Sequence, residues 1–141
     1  MQTPRIQYAS EPDLPVAEFR RVLNDSGLGA TRPVNDEPRL QAMLANANLL
    51  LTARLADEPG SPLIGVARGI TDTAWCCYLA ELAVCRSTQG LGAGHGLLAE
   101  ARRRLGLRVS LLLISVPEAA GFYTSAGMSP VDNAFWYRRD H

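Results

Sequence analysis

Apolar residues recur along this chain in two rhythms, and the changeovers between them mark its elements. Val16, Phe19, Val22 and Leu23 follow Glu11-Pro12-Asp13-Leu14-Pro15 at helical spacing, which predicts a first helix capped by Asp13. Ser26-Gly27-Leu28-Gly29 ends it. Leu40, Met43, Leu44 and Ala47 repeat the pattern after Asp36, a side chain suited to capping a second helix. Arg5 to Ala9 reads as a short strand ahead of both. Leu49 to Ala56, Leu63 to Thr71 and Ala74 to Val84 are strand-like apolar runs, joined by Asp57-Glu58-Pro59-Gly60-Ser61-Pro62 and by Thr71-Asp72-Thr73. Links this short join antiparallel neighbours.

The second half alternates helix and strand. A third helix is predicted from about Gly92 to Leu105, with Leu91, Leu98, Ala101 and Leu105 as its buried stripe. Leu107 to Ser115 is an apolar run of the kind buried on both faces of a sheet. Ser115-Val116-Pro117-Glu118 has the form of a capping box with proline in the first turn. The helix it opens runs to about Ala126 and stops at Gly127. Phe135 to Arg138 is expected to close the sheet as a last strand.

Composition narrows the class without naming a function. At 141 residues the chain fits one domain, residues 1–141, able to bury about two-thirds of its unfolded surface. Lys+Arg and Asp+Glu number 14 each, so no net field draws it to nucleic acid or to an anionic membrane. No run nears the ~18 apolar residues that span a bilayer, and MQTPRIQYASEPDLP lacks the apolar core of a signal peptide. Cys76, Cys77 and Cys85 are odd in number and have no zinc-site spacing. They read as small buried apolar residues of a cytoplasmic protein, and no metal is expected. Trp75 and Trp136 read as packing residues, and the terminal His141 is given no role.

The feature that needs an explanation is the run Leu82-Ala-Val-Cys-Arg-Ser-Thr-Gln-Gly-Leu-Gly-Ala-Gly-His-Gly96, with glycine at 90, 92, 94 and 96. Each glycine costs regular structure roughly 0.5–1 kcal/mol relative to alanine. A strand that passes through glycines into a helix exposes backbone N–H groups at the positive end of the helix dipole, a geometry that receives phosphate. Two phosphate loops are excluded. A Walker loop ends in Gly-Lys-Ser/Thr, whereas Gly94 is followed by His95-Gly96. The dinucleotide pattern GxGxxG fails at its third glycine, which falls on His95 or on Leu97.

Gln89-Gly90-Leu91-Gly92-Ala93-Gly94 resembles the Gln/Arg-x-x-Gly-x-Gly/Ala signature of GNAT-type N-acetyltransferases, and it lies where that family has it, between the fourth strand and the third helix. Leu82-Ala83-Val84 is similar to the end of the family's fourth strand, and Ala119 to Met128 to its "A…FYxxxGF" helix. Met128 stands where the family usually has phenylalanine, and Val116 where many members have asparagine. The resemblance covers almost the whole chain. It implies an α+β acyl-CoA N-acyltransferase fold: a mostly antiparallel sheet of six to seven strands, splayed between the fourth and fifth, with about four helices on its two faces.

The resemblance also implies acetyl-coenzyme A as cosubstrate. Backbone amides of Gln89, Gly90, Leu91, Gly92, Ala93, Gly94 and His95 would hold its pyrophosphate, and the main chain of Leu82, Ala83 and Val84 its pantetheine arm. Tyr123 matches the general acid that protonates the leaving thiolate. For the base, Glu81 is the only carboxylate in the strand Ala74 to Val84. Alternation places it on the face opposite Tyr78, Ala80 and Leu82, so Tyr78 or a water chain stays open as the alternative. The acceptor implied is a primary amine on a small or amino acid-like molecule. Arg32, the one charge between Ser26 and Asn35, points weakly to a carboxylate on it. A homodimer through the terminal strands fits the same resemblance. A coenzyme A-binding sensor or interaction module without turnover is the alternative function.

Overall fold

The computed structural model describes residues 3–140, so His141 lies outside the described residues. One sheet runs in the order β1 (Ile6–Ser10), β2 (Leu49–Leu55), β3 (Leu63–Thr71), β4 (Cys76–Val84) and β5 (Ser110–Leu112). The first four strands pair antiparallel, and β5 joins β4 in parallel. Helices α1 (Val16–Ser26) and α2 (Glu37–Ala45) cover one face. Helix α3 (Ala93–Leu105) covers the other, with α4 (Ala120–Ser125) docked against its first turn. Among the described residues no helix is long and apolar enough to cross a membrane.

Each face has its own core. Phe19, Val22, Leu23, Leu40 and Leu44 meet Leu50, Leu63, Val66, Ala83 and Cys85 on the α1/α2 side. Ala93, Leu97, Leu98 and Ala101 meet Leu49, Leu51, Leu55, Ala67, Cys77 and Leu79 on the α3 side. Fully burying a Leu or Phe is worth about 1.5–3 kcal/mol, so the middle strands are fixed from both sides. Asp36 caps α2 as its sequence suggests, accepting from Arg39 N–H at 3.2 Å. The β3–β4 turn is organised by Asp72 Oδ1, which accepts the N–H groups of Ala74, Trp75 and Cys76 and supports Thr73 at φ 63°.

Several expectations are corrected. Among the described residues the sheet has five strands, and Phe135–Arg138 forms none of them. A closing strand needs a ladder to join, and β5 offers an edge only three residues long. Phe135 and Tyr137 stand fully in solvent, and Trp75 and Trp136 are exposed rather than packed. The run from Leu107 to Ser115 is covered on the α3 side alone; Leu112 and Ile114 are about half exposed on the other face, because α1 and α2 pack no further than β4. Cys76 is exposed, whereas Cys77 and Cys85 are buried, and all three are free thiols.

Three helix ends also differ. Asp13 does not cap α1: the Pro15 carbonyl takes the N–H groups of Glu18 and Phe19, so the helix starts after the proline. Ser115 Oγ donates to Val116 O instead of capping, and Pro117–Ala119 is a 3-10 turn that leaves α4 short. Leu91 precedes α3 and is exposed.

Two contacts make stability predictions. The Arg54 guanidinium grips Glu11 at 2.8 and 2.9 Å and holds its carboxyl below the usual range, with Thr52 also bonded to it. A lowered folded value stabilises the protein above the unfolded pKa, and that contribution is lost as pH falls through the folded one. The urea midpoint of Glu11→Gln is therefore expected to change less than the parent's between about pH 6 and about pH 3. A Cβ at Gly96, in α3, would lie 1.9 Å from the Tyr8 hydroxyl oxygen and 2.2 Å from its ring. Gly96→Ala should cost about 1–3 kcal/mol by displacing that ring. In a Tyr8→Ser background the same change should become neutral or stabilising, since alanine favours a helix by ~1 kcal/mol; unfolding midpoints of the four proteins decide it.

Candidate active site

The sheet opens where β4 outlasts β5. The parallel ladder pairs Cys76 with Ser110, Cys77 with Leu111 and Tyr78 with Leu112, then ends. From Leu79 to Val84 only β3 lies beside β4. Cys85 N–H donates to Ile64 O at 2.8 Å, so alternation aims the main chain of Ala83 at β3 and that of Leu82 and Val84 at the open edge. There the Val84 carbonyl accepts from Gln89 Nε2 at 3.3 Å.

Beyond β4 the chain makes a 3-10 turn, Arg86–Thr88, and reaches α3 through the glycines. Gly90 and Gly92 have φ of 91° and 89°, and open space stands where a Cβ would be. An L side chain in that conformation costs roughly 1–2 kcal/mol. Thr88 and Gln89 donate back to Cys85 O and Arg86 O, and the next bond closes from Gly96 to Gly92 at 2.9 Å. Among the described residues no protein acceptor meets the N–H groups of residues 90–95. Gln89, Gly90, Leu91, Gly92 and His95 are exposed, Gly94 is half-buried, and the Ala93 side chain is buried beneath them. These amides sit at the positive end of a 13-residue helix, which favours an anion.

The other two glycines answer to the protein itself. A Cβ at Gly94 would stand 3.1 Å from the Phe122 ring, as one at Gly96 would strike Tyr8. Phe122 stacks on His95 with ring centroids 4.5 Å apart and meets Tyr123 edge-on at 5.1 Å. α4 thereby brings Tyr123 beside the glycine turn. Tyr123 is half-buried, and burial pushes its phenol above the ordinary 10, so it stays protonated at neutral pH.

Glu81 is held differently from its expectation. Its side chain is 1% exposed and lies between two guanidinium groups. Arg68 donates to both of its oxygens, one of these bonds being 3.0 Å, and Arg32 Nε donates to Oε2 at 2.7 Å. A general base needs an open lone pair within reach of the substrate, and three of the carboxylate's acceptor sites are taken by guanidinium N–H groups. Glu81 is thus ion-paired rather than free, an arrangement that favours the alternatives named for the base, Tyr78 or a water chain. Arg32 is equally committed: its Nη2 donates to Ala80 O at 2.7 Å and its Nη1 to Thr31 Oγ1 at 3.0 Å.

Simple alternation also misplaces the neighbours. The β3 register steps from Arg68 opposite Glu81 to Gly69 opposite Leu79, leaving Ala80 as the extra residue of a bulge. Cys77 and Leu79 therefore share the α3 side with Leu82 and Val84, and Tyr78 shares the opposite face with Glu81. Arg68 was legible as a partner: it is the single charge in β3, as Glu81 is in β4, and the two strands are neighbours. The reach of Arg32 and the seats of Tyr8 and Phe122 have no comparable signal in the sequence.

No protein-family model and no curated protein sequence matches the chain. Solved structures do. A Deinococcus radiodurans R1 protein assigned as an acetyltransferase matches at 22% identity and TM-score 0.74, over 99% of this chain and 92% of that one. A GNAT-family acetyltransferase of Streptococcus pneumoniae TIGR4 matches at 21% identity and TM-score 0.70, over 96% of this chain and 100% of the other. An aminoglycoside N-acetyltransferase crystallised with CoA matches at 15% identity and TM-score 0.68, over 99% and 98%. At these identities the likeness is one of architecture, and by architecture this chain is similar to the GNAT-family acetyltransferases along nearly its whole length.

Proposed function

We propose that the protein is an N-acetyltransferase that moves an acetyl group from acetyl-coenzyme A to a primary amine of a small molecule. The observation that carries the reading is the run of uncommitted N–H groups at residues 90–95, set beside the open edge of β4. Those amides would take the pyrophosphate, and the main chain of Leu82 and Val84 the pantetheine arm. Gly90 and Gly92 suit that role, because a Cβ at either would stand in the space the phosphates need.

In the transfer the amine lone pair attacks the thioester carbonyl carbon, the C–S bond breaks, and the Tyr123 O–H gives its proton to the leaving sulfur. The ammonium proton passes to water, which returns a proton to the tyrosinate. A backbone N–H near Leu82 to Val84 would face the oxyanion, and placing the two reactants together lowers the barrier further. The aminoglycoside enzyme among the neighbours supports a small-molecule acceptor. Free thiols at all three cysteines suit a reducing cytoplasm. The unpaired outer edge of β5 and the exposed Phe135 and Tyr137 support a homodimer.

The closed state of Glu81 favours a second reading, a coenzyme A-binding module without turnover. Calorimetry with coenzyme A should give heat under both readings, and its absence would reject both. Release of free thiol from acetyl-coenzyme A with benzylamine, n-butylamine, glycinamide, spermidine or kanamycin is expected only of the enzyme. Tyr123→Phe should bind coenzyme A like the parent and lose roughly 10²-fold or more in turnover; equal turnover would remove Tyr123 from the acid role.

A further inference from the structure

We propose that Arg32, Glu81 and Arg68 form a fixed cationic triad that keeps an amine bound at the mouth of the wedge uncharged, and so able to attack. This rests on the acetyltransferase reading and supplies what that reading lacks, a way to free the lone pair without a dedicated base. An alkylamine with an ordinary pKa near ~10.4 is almost all ammonium at neutral pH and has no lone pair to offer. Glu81, the carboxylate nearest the opening in sequence, is closed to it.

The triad joins two guanidinium groups that do not deprotonate to one carboxylate, leaving one net positive charge. It is poorly solvated: the side chains of Glu81, Arg68 and Arg32 are 1%, 8% and 22% exposed. Arg32 Nη2 lies 2.7 Å from the carbonyl of Ala80, the bulge residue near the start of the stretch where β4 has parted from β5. The positive charge is therefore held against the point at which the sheet opens. Beyond its own members, the triad's hydrogen-bond partners among the described residues are neutral. From α2 the Met43 carbonyl meets Arg68 at 3.3 Å, and from the link Thr31 meets Arg32. β4 adds the Tyr78 phenol on the same face. From α1, Arg20 is paired with Glu37 and bonded to Val34 O.

A like charge disfavours the ammonium form. At an effective dielectric of about 20 a like unit charge about 4 Å away is worth about 4 kcal/mol and less farther off, so an amine at the mouth of the wedge loses roughly one to two pH units. The triad is thus a positioning and electrostatic device, acting on the substrate's proton without accepting it.

The test is the pH dependence of kcat, measured at saturating concentrations of the amines of the panel above, which reports the bound amine, with calorimetry confirming that each variant still binds coenzyme A. In the parent, the acid limb should lie about one to two pH units below each amine's own solution pKa. Arg32→Gln should move the limb up by a similar amount, and Arg32→Lys, which keeps the charge, should leave it in place. The parent measurement stands even if Arg32→Gln does not fold. A parent limb at the solution pKa overturns the proposal. So does an Arg32→Gln limb that has not moved, or one matched by Arg32→Lys, which is the mark of a purely structural role. No thiol release from the parent with any amine of the panel overturns the enzyme reading itself, whereas release with unmoved limbs overturns only the triad.

Discussion

A peptide N–H taken out of a strand must find another acceptor or face solvent, and this fold concentrates that requirement at one turn. β4 outlasts its parallel partner, the chain cannot continue the ladder, and after the turn Arg86–Thr88 the glycines carry it into α3. The amides from residue 90 to 95 are left without a protein acceptor among the described residues as a consequence of topology. The positive φ of Gly90 and Gly92, the docking of α4 and the position of Tyr123 all follow from the need to make that turn and leave its outer side clear. Any small anion would find the same arrangement favourable; the extended edge beside it is what argues for a longer ligand.

The opposite face solves a different problem. A bulge at Ala80 removes one carbonyl from the β3–β4 ladder, and the protein satisfies it with Arg32 from the link that precedes α2. Arg32 brings a charge into a poorly hydrated place, and Glu81 answers it together with Arg68. Removing one member of such a group usually costs about 3–5 kcal/mol, because the remaining charges lose their compensation. The bulge, the link and the middle of β3 are therefore mechanically one unit, and the shape of the wedge on this side depends on an electrostatic balance more than on packing.

Much of this was legible in residues. Period and breakers located every helix and the first four strands to within a few positions, because their apolar faces are long enough to outweigh local preference. The glycine turn was legible in place, between β4 and α3. What escaped was long-range. Four alternate glycines look alike in sequence, yet two serve φ and two make room for Phe122 and Tyr8, which only the packing of α4 and β1 against α3 distinguishes. A single extra residue at Ala80 reversed the side on which Tyr78 lies, and strand alternation cannot foresee a bulge. The run from Leu107 to Ser115 was read as doubly buried from its composition, but burial is decided by which helices reach it, and α1 and α2 stop short.

Trp75 and Trp136, at 77% and 57% exposed, stand outside both cores. Indole emission from this protein is accordingly a surface signal, blind to the loosening of the packing around Phe19 or Leu97. Collapse of the fold has to be followed through the backbone, by far-ultraviolet dichroism. A blue shift in fluorescence would mean that something had covered one of these two indoles.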